Sequence, residues 1–385
     1  MTEHTTTHAA DEDVRNRDIK IYVNGDIVHR DEAKVSVFDS LVQGGDGCWE
    51  GLRLYDGRIF KLDQHLTRLR HSAKALAFED IPDSSLILDA IRQTLEAIDT
   101  VNALARKYPE TLAMASNAAE VSSLFARGHI ASLMGMEGGH QIDSSVMALR
   151  QFHALGVRYM TLTHNCNAGD PAAPWAGSCC PISGPTNVGL SEFGRNVVAE
   201  MNRMGMMVDL SHTSVETMSD ALDVTRAPPI FSHSNARALC DVPRNVPDSI
   251  LDRLPSAPEG GGVVCVTFVP GFLVPGGVNA SLSNVVDHIM YIGNRIGYDH
   301  VCIGSDFDGV ETLPAGLATP ADYPDLFAEL IRRGVSDDNI NAILSGNLLR
   351  VLAATERVAA QLQADEAASY QLTPVFNDSC RNFLN

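Results

Sequence analysis

Positive charge is scarce in this chain. Lys and Arg together number 29 against 48 Asp and Glu, a formal charge of -19. Nucleic acids and anionic membrane surfaces both reward clustered Lys and Arg, so neither is an expected partner. Long apolar runs are missing too, and no stretch approaches the length of a membrane span. The opening residues, MTEHTTTHAADEDVRNRD, are polar and acidic, the reverse of a secretory signal, and the expectation is a cytoplasmic protein. The 8 cysteines show no spacing that builds a structural zinc site. Cys179-Cys180 is vicinal and could not form an ordinary unstrained disulfide, so reduced thiols are the default.

What is present is enough apolar material, 45% of 385 residues, for one large core or two smaller ones. Residues 1–17 read as a disordered tail without apolar period. From Ile19 the texture changes. Asn24-Gly25 between Ile19–Val23 and Asp26–Val28 is a hairpin signal, because the pair supplies the positive φ angles of a tight primed turn. Asp56-Gly57 marks a second hairpin, between Cys48–Tyr55 and Arg58–Leu62. Helices are expected over 64–77, behind Asp63 as cap, over 82–97 and over 98–108.

Beyond residue 108 strands and helices alternate at the spacing of βα units. Strands are expected at 130–136, 157–163, 206–211, 229–232, 262–269 and 300–305, with helices at 144–155, 191–204, 214–223, 247–254, 283–296, 322–333, 336–344 and 347–363. The pattern predicts an α/β fold of parallel strands wrapped by helices. Five of these strands end in a chemically useful group: Glu137, His164, His212, His233 and Asp306. A single histidine after an apolar run is more often a hydrogen-bonded core residue than a ligand. Repetition over five strand ends favours a site, as at the carboxyl face of a (β/α) barrel. Six strands fall short of the eight that close such a barrel, so the architecture expected is an incomplete (β/α)8 barrel.

Two resemblances follow from longer motifs. VNGDIVHRDEAKVSVFD and GDGCWEGLRLYDGRIFKLDQHLTRLRHSAKAL resemble the N-terminal portion of branched-chain and D-amino-acid aminotransferases, the fold-type IV pyridoxal phosphate enzymes, over residues 19–96. That resemblance implies an α+β module over 18–96 and gives Arg68 a contact with the cofactor phosphate. The Schiff-base lysine of those enzymes lies further along, whereas the last lysine here is Lys107, so pyridoxal phosphate is not an expected cofactor.

GMEGGHQIDSS, RYMTLTHNCN, GLSEFGRNVVAEMNRMGMMVDLSH, APPIFSHSNARALCDVPRNVPD and GSDFDGV resemble the renal or membrane dipeptidase family, zinc peptidases of the amidohydrolase-like barrel group. The resemblance covers residues 97 to about 360, implies a barrel domain over 97–366, and leaves 367–385 as a tail. It implies that Glu137 bridges two zinc ions and that His212 and His233 ligate one of them. It further implies that His164 steadies the tetrahedral intermediate, Arg244 pairs with the carboxylate of a dipeptide substrate, and Asp306 handles the proton of the attacking water. Taken alone, an arginine such as Arg244 in a polar loop is usually a solvated surface residue. His140, beside Gly138-Gly139, is read as structural or as supporting the ligands.

The family's His-x-Asp strand, source of further ligands, has no counterpart, because the aminotransferase-like module stands in its place. His29-Arg30-Asp31 has the spacing, but its flanks match the aminotransferase pattern, and the spacing is read as coincidence. Three readings stand: a dipeptidase with one or two zinc ions and impaired activity, an inactive fusion serving binding or assembly, and an aminotransferase-like fragment completed by a partner chain. A homodimer is compatible with each.

Overall fold

A computed structural model describes residues 98 and 100–370, apart from 143 and 171, and the backbone of four short strands at 20–23, 26–29, 54–55 and 58–59. The chain divides into two compact units, Met1–Val101 and Asn102–Asn385. In the first unit β1 (Lys20–Val23) pairs antiparallel with β2 (Asp26–His29), and β3 (Leu54–Tyr55) with β4 (Arg58–Ile59). Val23 stands opposite Asp26 and Tyr55 opposite Arg58, the two hairpins expected from Asn24-Gly25 and Asp56-Gly57. The N-terminal tail, the helices expected over 64–77 and 82–97, and Arg68 lie outside the described residues.

The second unit contains an element pair that the sequence did not predict. β5 (Leu112–Met114) runs parallel to β6 (Ile130–Ser132), and helix α1 (Ala118–Ala126) connects them, capped by Asn117, whose side chain accepts the Glu120 N–H. Three residues, Leu-Ala-Met, are too few to carry a period. The stretch 130–136, predicted as one strand, is divided at Leu133: β6 pairs with β5, and β7 (Met134–Glu137) pairs with β8 (Val157–Thr161). The loop after β8 carries an antiparallel pair, β9 (Ala168–Asp170) and β10 (Ala173–Ala176), also not predicted. Then come β11 (Met207–Asp209), β12 (Ile230–Phe231), β13 (Val263–Val266) and β14 (Val301–Ile303).

Strands β7, β8, β11, β12, β13 and β14 form one parallel sheet in chain order, and they are the six expected. Every residue of β11, β12 and β13 is buried, so these strands read as apolar runs, interrupted only by Asp209 at the end of β11, rather than as an alternation. Helices α2 (Val146–Ala154), α3 (Glu192–Met204), α4 (Val215–Val224), α5 (Leu282–Ile296) and α6 (Asn347–Tyr370) alternate with the strands or follow them. In α3, Ser191 caps the start by accepting the Gly194 N–H, and Gly205 ends it at φ +83. Its buried face, Val197, Val198, Met201 and Met204, packs against the sheet side and α6. The backbone of α6 continues to Tyr370, past the end expected for this helix at residue 363.

Met207, Ile230 and Val263 pack with Val351 and Leu352 of α6 in the core. Cys265 and Cys302 belong to the same cluster and are joined by a disulfide. This corrects the expectation that all thiols are reduced. The two cysteines are directly paired across β13 and β14, a register that their separation of 37 residues in the chain does not reveal. Among the described residues no helix is long and apolar enough to cross a membrane.

Candidate metal centre

Glu137 closes β7, and the chain turns at once through Gly138, whose φ of +123 favours glycine. A Cβ at Gly138 would lie 2.3 Å from the His140 ring and 3.3 Å from the His164 Cβ, so the turn leaves no room for a larger residue. His212 lies three positions past the end of β11 and Asp306 three past β14, with left-handed backbones at φ +64 and +63. Such angles are uncommon outside glycine and concentrate where surrounding structure holds a functional group in place.

These turns converge. Glu137 Oε1 lies 3.1 Å from His212 Nε2 and 3.1 Å from His233 Nε2, and the two nitrogens are 2.9 Å apart. A tetrahedral zinc ion with bonds of about 2.0–2.1 Å holds its ligand atoms roughly 3.3 Å from one another, so this donor set fits such an ion with little movement. His164 stands beside the set, its Nε2 3.8 Å from Glu137 Oε1 and its ring 4.2 Å from that of His212. Glu137, His164 and His212 also present ligand atoms within 4.8 Å of one another. The Glu137, His212 and His233 set is the tighter, and we take it as the ligand set.

The proton positions suit ligation. His233 Nδ1 is 2.7 Å from Ser232 Oγ, and assigning the ring proton to Nδ1 leaves the Nε2 lone pair facing the cluster. Burial pushes the His212 imidazole down to about 3, so the ring is neutral near pH 7, the form that binds a metal. The His212 and His233 imidazoles beside it hold the Glu137 carboxyl well below the usual carboxylate range. Burial raises the Asp306 carboxyl, against the pull of His233. Asp306 therefore lies within electrostatic reach of the cluster.

Arg244 is only 5% exposed. Its Nη1 donates to Ser234 Oγ at 3.1 Å and its guanidinium lies over the Phe272 ring at 5.5 Å, while Nε and Nη2 have no partner. Burial depresses its pKa, and the carboxylates of Glu137 and Asp306 are among the groups acting on it in the opposite direction. A buried cation with unpartnered N–H groups is suited to receive an anion.

One residue of the site escaped the sequence reading. Asp209, fully buried at the end of β11, accepts the backbone N–H groups of Ser211 and Ser232 on Oδ1 at 3.0 and 2.9 Å. Each serine directly precedes one of the two clustered histidines, His212 and His233. Ser211 Oγ in turn accepts the His233 N–H at 3.0 Å and lies 3.2 Å from Ser234 Oγ, which leads on to Arg244. The available signal was a lone acid inside the apolar run Met206–Leu210.

The structure thus brings Glu137, His212 and His233 together with His164 beside them, and sets Arg244 and Asp306 within electrostatic reach. Arg68 is outside the described residues, and His29 belongs to the other unit. A parallel-sheet α/β fold with a histidine and carboxylate cluster at its strand ends defines the class, an α/β protein with a candidate metal centre. The particular family follows from comparison: the chain matches the membrane dipeptidase family, peptidase family M19, over residues 59–366, and it belongs to that family. The match begins upstream of residue 97, where the motifs alone placed its start.

An uncharacterized dipeptidase of Schizosaccharomyces pombe is 48% identical over 269 residues, covering 70% of this chain and 64% of the relative. Dipeptidase aclJ of Aspergillus oryzae is 46% identical over 277 residues, covering 71% of this chain and 64% of the relative. The chain therefore spans just under two thirds of the length of these curated relatives. Among solved structures, a metallopeptidase from Rhodobacter sphaeroides bound to a phosphinate mimic of the dipeptide L-Ala-D-Ala is 30% identical, with a TM-score of 0.59 over 67% of this chain and 72% of that one. A further M19 metallopeptidase, dipeptidase AC, is 30% identical with a TM-score of 0.61 over 68% and 74% of the two chains.

Proposed function

We propose that this chain is a zinc-dependent dipeptidase that hydrolyses the peptide bond of short peptides with an activated water. The observation that carries the reading is the mutual approach of Glu137 Oε1, His212 Nε2 and His233 Nε2 to within 2.9–3.1 Å. A zinc ion held by these atoms supplies a Lewis acid and acidifies a water that it holds. Asp306, whose carboxyl is raised by burial, accepts and returns the proton of the attacking water. His164 donates from Nε2 to the oxygen that gains negative charge as the peptide carbonyl is attacked. Arg244 offers its unpartnered Nε and Nη2 to the substrate's terminal carboxylate.

The reading takes one zinc ion at Glu137, His212 and His233, with turnover reduced relative to a two-zinc site. In the same reading the parallel sheet is part of an incomplete (β/α) barrel, residues 19–96 are an aminotransferase-like module joined to it by gene fusion, the protein is cytoplasmic, and pyridoxal phosphate plays no part. The deciding experiment is zinc analysis of purified protein together with hydrolysis of a simple dipeptide. Roughly one zinc per chain and chelator-sensitive hydrolysis are expected. Protein that takes up no zinc and cleaves no dipeptide is instead the inactive fusion.

A further inference from the structure

Cys179 and Cys180 stand on the loop after β10, with Cys179 half-buried, Cys180 exposed, and their sulfurs 2.8 Å apart. The proposed hydrolysis uses neither thiol. Both are nonetheless tied to the metal centre through the backbone. The Cys179 N–H donates to the carbonyl of His212 at 2.9 Å. The peptide between the two cysteines donates its own N–H, that of Cys180, to Ser178 Oγ at 3.2 Å. Ser178 Oγ in turn donates to the carbonyl of His164 at 2.5 Å and lies 3.3 Å from that of His212.

We propose that Cys179 and Cys180 are a redox-active vicinal dithiol, a modification site that a peroxide closes to a disulfide, and that closure weakens the neighbouring metal site. In the first step one thiol gives up its proton, the thiolate attacks the peroxide, the O–O bond breaks, and a sulfenic acid forms while the departing hydroxide takes up that proton as water. In the second the other thiol attacks that sulfur and displaces a second water, so that two thiols and one peroxide become one disulfide and two waters. Consecutive Cα atoms lie about 3.8 Å apart across a trans peptide, less than the roughly 4.4 Å at which ordinary disulfides begin. Closing the ring must therefore reorient the intervening peptide. That peptide carries the N–H held by Ser178 Oγ, and its neighbour carries the N–H held by His212. The strain of closure is delivered to the Ser178 Oγ and Cys179 N–H contacts on the His164 and His212 carbonyls, the second of which Thr163 Oγ1 also holds at 3.0 Å, and a reductant reverses it.

The switching half of this proposal rests on the metal-centre reading, whereas the pairing of the thiols does not. The test uses the full chain, reduced and metal-free, treated with hydrogen peroxide, then alkylated and analysed by mass spectrometry, with cobalt(II) affinity followed by absorbance before and after. The expected result is loss of two hydrogens and of alkylation on the peptide carrying Cys179 and Cys180, with cobalt binding weakened roughly ten- to a hundredfold, as for disturbed support of metal ligands. Dithiothreitol restores both, and Cys180→Ser keeps its cobalt affinity after peroxide. Sulfinic acid without a cross-link, a cross-link with unchanged cobalt affinity, or equal peroxide sensitivity in Cys180→Ser would each overturn the proposal. If the reduced protein binds no cobalt, the metal-centre reading fails and the switching half fails with it, and the mass change still decides whether the thiols pair.

Discussion

His212 Nε2 and His233 Nε2 face each other at 2.9 Å, both within 3.1 Å of one oxygen of Glu137. Two imidazole nitrogens turned toward one carboxylate oxygen match the donor types and spacing that a zinc ion takes, which is the basis of the proposed metal site. His233→Ala removes one of the three atoms. Zinc content is expected to fall from roughly one ion per chain to near zero, as measured by plasma mass spectrometry. A variant that retains its full metal content would show that His233 is not a ligand.

Asp209 holds both ligand turns at once through the N–H groups of Ser211 and Ser232. Asp209→Ala leaves these donors without their acceptor and should cost about 2–5 kcal/mol of stability in urea unfolding, with zinc affinity reduced as well. Asp209→Asn keeps an oxygen at the Oδ1 position and should recover most of both. Equal losses in the two variants would mean that the negative charge, not the hydrogen bonds, is what matters.

Arg244 is tested by separating substrate binding from metal binding. Arg244→Met should raise KM for a dipeptide roughly ten- to a hundredfold, the value of charged hydrogen bonds lost from a buried site, while zinc content stays unchanged. Loss of zinc in this variant would instead make the arginine a support of the loop from Ser234 to Val246.

Acid should destabilise the metal-free protein through histidines that folding keeps neutral. Burial, helped by the charges of Arg158 and Arg203, pushes His153 down to about 4, and burial pushes His212 down to about 3. An unfolded histidine takes its proton near pH 6.5. Between that pH and the folded values the unfolded chain binds more protons, so stability is complete above about pH 6.5 and falls as the pH drops toward 4. Melting temperatures of chelator-treated protein should decline across this window. His153→Gln should make the decline shallower without abolishing it, because His212 contributes over the same range. An identical slope in the variant would remove His153 from this account.

Much of the site was legible along the chain because parallel strands buried on both faces are written as unbroken apolar runs, and the residue that ends such a run stands out. Glu137, His164, His212, His233 and Asp306 were singled out in that way as candidates, and the six strands of the sheet were read with them. The strand Leu112–Met114 and the division at Leu133 were not legible, since three paired residues leave no period to detect. The sequence by itself determined the order of βα units and the chemical identity of the groups at their ends, because local burial dictates both. Only the tertiary structure decided that Asp209 serves two histidines, that Arg244 is buried with donors to spare, and that Cys265 meets Cys302. Each of these depends on the register between segments far apart in the chain, and register is set by packing rather than by any local pattern.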